Sequence, residues 1–309
     1  MTVSANQSAL EYTAALVGQH FFNVLYFDLG RYLIAAGVLT AILFVFRKWA
    51  NARKIQTRTA GRKDYVRETL SSLRTVFVFG VTTLATLIGK ETGIIKLSLE
   101  STTLITVAWQ FALILVVHDA YFYWIHRAMH SKRLFKATHL HHHKSRTPTP
   151  WAAYSFSTWE AAAEAAFMPL FLLVTSLFGV AYAGFALMLF LWNMIIRNVM
   201  AHAGHELFPA GWVDTPILRW ISTTTHHDLH HAQGYNYGFY FTWWDKWMGT
   251  EHPRYAEEFR KNAQPLRLPN LARLLPKTSA EKASILVTAI LASSMTLGGP
   301  TALMTLPVA

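Results

Sequence analysis

Long stretches without a charged residue are the feature that most limits how this chain can fold. A helix needs about 20 mostly apolar residues to cross a bilayer, or somewhat fewer when flanking lysine and arginine side chains reach the interface. Five stretches of the sequence are candidates, namely 32–46, 75–89, 101–117, 165–196 and 283–309. They predict an all-α fold in which several helices cross a membrane.

Two of these stretches contain helix-breaking residues. The stretch 165–196 is too long for one crossing, and Gly179 and Gly184 near its middle predict two helices that leave and return on one side. The stretch 283–309 is interrupted at residues 298–300 by Gly-Gly-Pro, so whether it spans is open. The first 20 residues lack the basic start and apolar run of a signal peptide, and we expect none.

Basic residues predict how the chain is oriented. The segment 47–74 carries nine lysines and arginines against two acidic residues, and such segments stay on the cytoplasmic side. Two crossings bring the chain back to that side near His118, and the predicted pair of helices returns it again at about residue 201. We attribute the net charge of +11 to anionic lipid headgroups rather than nucleic acid, because these charges lie beside the spans.

The absence of cysteine narrows the possible chemistry. Without cysteine the chain can form no disulfide, thiolate zinc site, cysteine-ligated iron–sulfur cluster or cysteine nucleophile. Any metal must therefore be held by His, Asp or Glu. The chain has 15 histidines, and neutral imidazole is the commonest metal ligand and an expensive group to place near lipid.

Two histidine motifs follow the third predicted span. HRAMH places His126 and His130 four residues apart, which puts them on one face of a helix. HLHHH presents His139, His142 and His143 at i, i+3 and i+4, with His141 on another face. Both spacings are suited to binding metal.

Two further motifs follow the fourth stretch. NVMAHAGHE places Asn198, His202 and His205 at i, i+4 and i+7 on one helix face, directly after a span. HHDLHH repeats the i, i+3 and i+4 spacing of HLHHH. Its candidate ligands are His227, His230 and His231. His226 is also four residues before His230, so it is an alternative to His227.

The number of histidines predicts two metal ions. One ion takes about four to six ligands, and eight or nine imidazoles exceed that number. A metal transporter would place its ligands near the middle of the bilayer, whereas these histidines lie at span ends. A zinc hydrolase is a further alternative, but the sequence contains no HExxH motif.

Several acidic residues are candidates for orienting these histidines. Asp119 precedes His126 by seven residues and could orient an imidazole or pair with Arg127. Glu206 follows His205 directly. Three other carboxylates are open between an orienting role and an ordinary surface or ion pair: Glu160, Glu164 and Asp245.

Taken together, the motifs resemble those of the fatty acid hydroxylase superfamily, also called the sterol desaturase family. The resemblance rests on HDAYFYWIHRAMH, HLHHH, HHDLHH and NYGFYFTWWDKWMGT and covers about residues 75–260. It implies a catalytic domain at 75–260, preceded by an N-terminal span and basic loop at 1–74 and followed by a basic linker and hydrophobic segment at 261–309. It also implies the metal-binding histidines, which are His126, His130, His139, His142, His143, His202, His227, His230 and His231.

The resemblance further implies the chemistry. Two Fe(II) ions would activate O2 and hydroxylate a C–H bond of a lipid that enters from the bilayer, although zinc can replace iron in purified protein. Desaturation by the same site is the alternative. Some members carry a fused cytochrome b5 domain, which this sequence lacks, so we expect electrons from a separate ferredoxin-like or cytochrome b5-like protein. The lipid could be fatty-acyl, sterol or related.

Overall fold

The computed structural model describes residues 2–98 and 102–263, so the candidate span at 283–309 lies outside the described residues. The α-helices of the described part are α1 (Thr2–Val45), α2 (Arg47–Ala52), α3 (Arg62–Glu91), α4 (Leu104–Met129), α5 (Phe135–Thr138), α6 (Thr158–Ala165), α7 (Phe167–Leu177), α8 (Gly184–Ala201), α9 (Thr224–Gln233), α10 (Trp243–Trp247) and α11 (Tyr255–Asn262). Two short strands, β1 (Leu97–Ser98) and β2 (Tyr182–Ala183), pair in parallel.

Five helical segments are long and apolar enough to cross a membrane. They are His20–Val45, Arg62–Glu91, Leu104–Met129, Thr158–Leu177 and Gly184–Ala201. The first four stretches identified in the sequence lie wholly or largely within these segments. The prediction of an all-α, multi-pass membrane protein is therefore confirmed.

The long fourth stretch forms two helices, as its glycines predict. Helix α7 ends at Leu177 and α8 begins at Gly184. Gly179 between them has a φ of +77°, which glycine adopts without the steric cost that other residues incur. Strand β2 lies in this connection and pairs with β1, aligning Leu97 with Tyr182 and Ser98 with Ala183.

Helix α4 extends well beyond its uncharged stretch. It begins after Thr103, whose hydroxyl accepts a hydrogen bond from the Thr106 amide at 3.1 Å, and it continues to Met129. The apolar run in the sequence ends before His118. The helix continues beyond it because its later polar residues face the protein interior. His118, Asp119 and His126 are all buried.

Two clusters of mainly aromatic and aliphatic side chains pack the helices together. Tyr32 of α1 stacks on Tyr154 with ring centroids 5.6 Å apart, and its hydroxyl donates to the Trp151 carbonyl at 2.9 Å. A second cluster packs α4, α7 and α8 together through residues such as Ile114, Phe171 and Phe190. The second cluster holds α4 and α8 against each other.

The connection after α1 contacts the region that follows α8. The Arg53 guanidinium donates to the Glu206 carbonyl at 2.6 Å, and Lys54 and His205 form a backbone bridge. The Gln56 amide donates to Asp228 of α9 at 2.9 Å. The basic connection between the first two spans therefore lies on the same side as the histidines of α9.

Candidate metal centre

Eight of the predicted histidines converge as two groups of four. The first group consists of His126, His130, His139 and His230, and the second of His142, His202, His227 and His231. Within each group, one nitrogen from every ring lies within 4.8 Å of the others. Nitrogens bound at about 2.0–2.1 Å to one tetrahedral zinc ion lie about 3.4 Å apart. The Nε2–Nε2 distances of 2.9 Å between His126 and His139 and 3.2 Å between His142 and His202 are close to that value, so each group has a suitable size for one ion.

Helix ends bring these rings together. His126 lies in the last turn of α4 and His130 immediately follows that helix, while His202 immediately follows α8. The segment 139–143 crosses between the two groups. Helix α9 presents His230 to the first group and His227 with His231 to the second.

His143 lies beside the first group rather than within it. Its Nε2 atom is 3.2 Å from Nε2 of His130 and 3.0 Å from Nε2 of His230. Its ring centroid is 5.0 Å from that of His231, which belongs to the second group. His143 therefore occupies the space between the two groups.

Main-chain carbonyls fix the orientation of several rings. The Nδ1 atom of His126 lies 2.9 Å from the Tyr237 carbonyl, and that of His230 lies 2.7 Å from the Tyr235 carbonyl. His202 makes the same contact with the Asn198 carbonyl at 2.8 Å. A carbonyl can only accept, so Nδ1 carries the proton and Nε2 presents a lone pair to its group.

Two more rings of the groups are held in a similar way. His139 Nδ1 lies 2.8 Å from a Glu160 carboxylate oxygen, and His142 Nδ1 lies 3.4 Å from the Ser155 carbonyl. Glu160 is fully buried and also completes the N-terminal cap of α6 with Ser157. Glu160 therefore lies close enough to His139 to serve as a carboxylate that orients a ligand imidazole.

The histidines outside the spans are held in their neutral form. Burial is the main cause, and it lowers the pKa of His202 and of His143 to about 4. Burial and neighbouring imidazoles bring the pKa of His142, His227 and His231 well below the usual value. At pH 7 these rings therefore offer lone pairs rather than positive charge.

The close contacts between these lone pairs indicate that the site holds cations. Nε2 of His142 lies 3.2 Å from Nε2 of His202, and both rings direct their Nδ1 proton to a main-chain carbonyl. Such a contact between two unprotonated nitrogens is repulsive, whereas a metal ion between them makes it attractive. The donor set is all imidazole, which suits iron, zinc, copper or nickel.

Three candidate residues near α8 contribute to the surrounding structure. Asn198 donates from its side chain to the Ala153 carbonyl at 2.6 Å and accepts from His202 through its main chain. Glu206 accepts from the amides of Phe208 and Thr225, both at 2.8 Å, and links this segment to α9. His205 lies outside both groups, with its Nδ1 atom 2.8 Å from the Ala203 carbonyl.

Two other candidates lie beside the groups. The Asp119 carboxylate accepts from the amides of Tyr240 and Phe241 and from the Trp243 indole, at 2.8 to 3.2 Å. His226 points away from both groups, and its Nε2 atom lies 3.4 Å from Asp245. Of the alternatives left open by the HHDLHH spacing, His227 is therefore the one within a group.

Asp245 organises the segment that holds His126. Its carboxylate accepts from the amides of Tyr237 and Gly238 at 2.7 and 2.8 Å and from the Thr250 hydroxyl at 2.7 Å. Burial alone would raise the pKa of Asp245, but the neighbouring His226, followed by the hydrogen bonds from Thr250 and Gly238, brings it below its usual value. The sequence left the role of Asp245 open and gave no indication of the carbonyls of residues 235 and 237, because a carbonyl is common to every residue type.

A small cavity adjoins the two groups on the side of the spans. Its volume is about 10 Å³, which is room for one water molecule, and its wall includes several of the group histidines. Phe122, Phe156 and Phe239 supply apolar surface, while Glu160 and Glu164 supply carboxyl groups. The cavity therefore places apolar rings and carboxyl groups directly beside the imidazoles.

Comparison with known proteins connects this centre to one family. Residues 111–250, which include all nine histidines, match the fatty acid hydroxylase family. The chain is also similar to a Delta(7)-sterol 5(6)-desaturase of Gibberella zeae, with 32% identity over 139 residues. That match covers 45% of this chain and 40% of the relative.

A mammalian relative gives a match of similar length. Lathosterol oxidase of Mus musculus is 33% identical over 138 residues, covering 44% of this chain and 42% of the relative. The chain thus spans about two fifths of the length of these curated relatives. No solved structure shows significant similarity to the chain.

Proposed function

We propose that the chain, whose residues 111–250 match the fatty acid hydroxylase family, is a di-iron, O2-dependent oxidoreductase that hydroxylates a C–H bond of a membrane lipid. The observation that carries this proposal is the pair of four-histidine groups beside the spans, in which every ring except that of His130 is buried. Each group would hold one iron ion. Bound iron would supply the O2 chemistry needed to oxidise an unactivated C–H bond.

The residues around the groups would support this reaction in two ways. The carbonyls of Tyr235, Tyr237 and Asn198 hold the imidazoles with their lone pairs inward. Phe122, Phe156 and Phe239 exclude bulk water from the cavity where O2 and the lipid C–H bond would meet. The cavity is too small for a lipid in its present form, so an aromatic side chain must move when the substrate binds.

Desaturation is the second candidate, and the name of the Gibberella relative favours it. Both the Gibberella and the mouse relative are named for sterol oxidation. The two reactions share the removal of a first hydrogen, after which either oxygen is inserted or a second hydrogen is lost. A sterol is accordingly one candidate substrate, beside fatty-acyl and related lipids.

Growth under ¹⁸O-labelled dioxygen separates these functions. Cells that make the protein should accumulate a lipid with one added, labelled oxygen, and cells with the His142→Ala variant should not. A product lighter by two hydrogens and without label would replace hydroxylation by desaturation. An added oxygen that came from water would overturn the oxygenase proposal. Mass spectrometry of lipid extracts provides the measurement.

We also propose that the metal centre faces the cytoplasm. Support comes from the basic residues between the first two spans and from the contacts of Arg53 and Gln56 with the region after α8. Single cysteines at Ser131 and Ala232, both exposed, should react with an impermeant maleimide only from the cytoplasmic side. A cysteine at exposed Thr92, at the opposite end of α3, should react only from the other side. The reverse pattern would contradict this orientation, and the cysteine-free sequence keeps the background low.

A further inference from the structure

The segment that contains the first two histidine motifs has an unusual charge. From residue 120 to residue 159 the chain contains no aspartate or glutamate. Five cations in this part are exposed, and together they define the basic strip: Lys132, Arg133, Lys136, Lys144 and Arg146. None of them forms an ion pair with a described residue.

The basic strip lies where the metal centre comes nearest to the surface. His130 and His143 are partly exposed, while the other seven histidines of the centre are buried. His130 is two residues from Lys132, and His143 is directly followed by Lys144. Access to the histidine cluster from outside the membrane is therefore bordered by positive charge.

An aromatic ring connects the basic strip to these two histidines. Phe135 lies within the strip and is partly exposed. Its ring centroid is 5.2 Å from that of His130 and 5.5 Å from that of His143. A protein docked on the strip would thus be separated from the centre by little more than one layer of side chains.

The acidic groups of the neighbouring helix α3 do not neutralise the basic strip. Asp64 is paired with Arg58 and Arg67, at 3.2 and 2.9 Å. Glu68 is buried and accepts from the Thr149 hydroxyl at 2.6 Å. The charge of the strip is therefore available to a partner.

We propose that the basic strip is the docking surface for an acidic one-electron carrier protein. This inference rests on the proposed function, in which O2, one C–H bond, two electrons and two protons give one alcohol and one water. The carrier is oxidised as it supplies the electrons. Complexes between electron-transfer proteins have small interfaces and short lifetimes. Opposite charges on the two partners raise the association rate by about 10 to 1,000-fold.

Charge reversal tests this surface without turnover. The probe is an acidic [2Fe–2S] ferredoxin, added to the full chain in nanodiscs. Lys132→Glu combined with Arg133→Glu should lower its association rate constant about 10 to 100-fold at low salt, and the difference should shrink at high salt. Arg254→Glu with Lys261→Glu, on two other exposed cations, is the control and should change the rate less than threefold. Unchanged metal content would show that the reversed strip leaves the centre folded.

Cross-linking identifies the surface directly. A carbodiimide that joins lysines to carboxylates should link the ferredoxin to Lys132, Lys136 or Lys144, and high salt should abolish these links. Links to lysines of residues 47–63 instead, or an unchanged association rate, would overturn the proposal. The proposal would also be overturned if the Lys132→Glu, Arg133→Glu variant lost bound anionic phospholipid but still bound ferredoxin normally. The basic strip would then bind lipid headgroups. If docking is found but no oxidised lipid forms, the proposed function fails and the docking surface stands.

Discussion

Replacement of His230 by alanine is expected to remove the metal ion from the first group and to lower product formation below about 1% of wild type. Protein from iron-replete cells should contain about two metal ions per chain, since eight imidazoles form two groups. Loss of a residue that merely orients a ligand costs about 10 to 100-fold in metal affinity, and loss of a ligand should cost at least as much. His142→Ala should do the same to the second group. Elemental analysis and lipid mass spectrometry measure the two effects.

A neighbouring histidine supplies the matched control. His141 lies in the same short segment, but its Nε2 atom is 2.7 Å from the Ser71 hydroxyl and it belongs to neither group. His141→Ala should retain about two ions and most of the activity. Total metal has to be counted, because zinc binds imidazole more tightly than Fe(II) does. Full metal content and activity in both His230→Ala and His142→Ala would contradict the two groups.

The sequence predicts which histidines converge but not how they divide between two groups. A spacing of i, i+3 and i+4 places three rings on one side of a helix and suggests that they share an ion. In the structure, His139 of the HLHHH motif lies in the first group, whereas His142 of the same motif lies in the second. The segment is not one regular helix here, because α5 ends at Thr138 and a short 3-10 helix begins at His142. Irregular backbone removes the periodicity on which the inference depends.

Helix α9 is regular, yet it also serves both groups. His227 and His231 lie one turn apart and share the second group, as the spacing predicts. His230 is adjacent to His231 and points about 100° away around the helix, where it meets His126 of α4 and His130 just after α4. This division depends on where α4 and α8 end beside α9, which is a tertiary property that the spacing does not contain.

The predicted spans show a related limit. The uncharged stretches show where each crossing lies, but they are shorter than the helices that form. Helix α3 already begins at Arg62, and α4 continues to Met129. Charged residues at helix ends can reach the interface, and polar residues of α4 face the protein interior. Helix ends thus have to be inferred from what the polar residues contact.

Replacement of Gly238 by alanine is the second substitution for which we expect a large effect. An added Cβ atom would lie 2.4 Å from the Phe241 carbonyl oxygen and 2.8 Å from a carboxylate oxygen of Asp245. Both distances are too short for a carbon atom, so the segment must shift, at a cost of about 1–3 kcal/mol. The Tyr237 carbonyl, which holds His126, is next to this position. We expect the first group to lose its ion and the second to keep its ion, leaving about one per chain.

A second glycine of the same region separates this clash from a general weakening of the fold. Gly249 has a φ of +65°, but no atom lies within 4 Å of the position that a Cβ would occupy. Gly249→Ala therefore introduces backbone strain of about 1–3 kcal/mol without displacing Tyr237. It should retain about two metal ions, with a lower melting temperature. Equal metal loss in the two variants would indicate that any weakening of this segment empties the group. Full retention in Gly238→Ala would mean that the Tyr237 carbonyl is not what holds His126 in place for the metal.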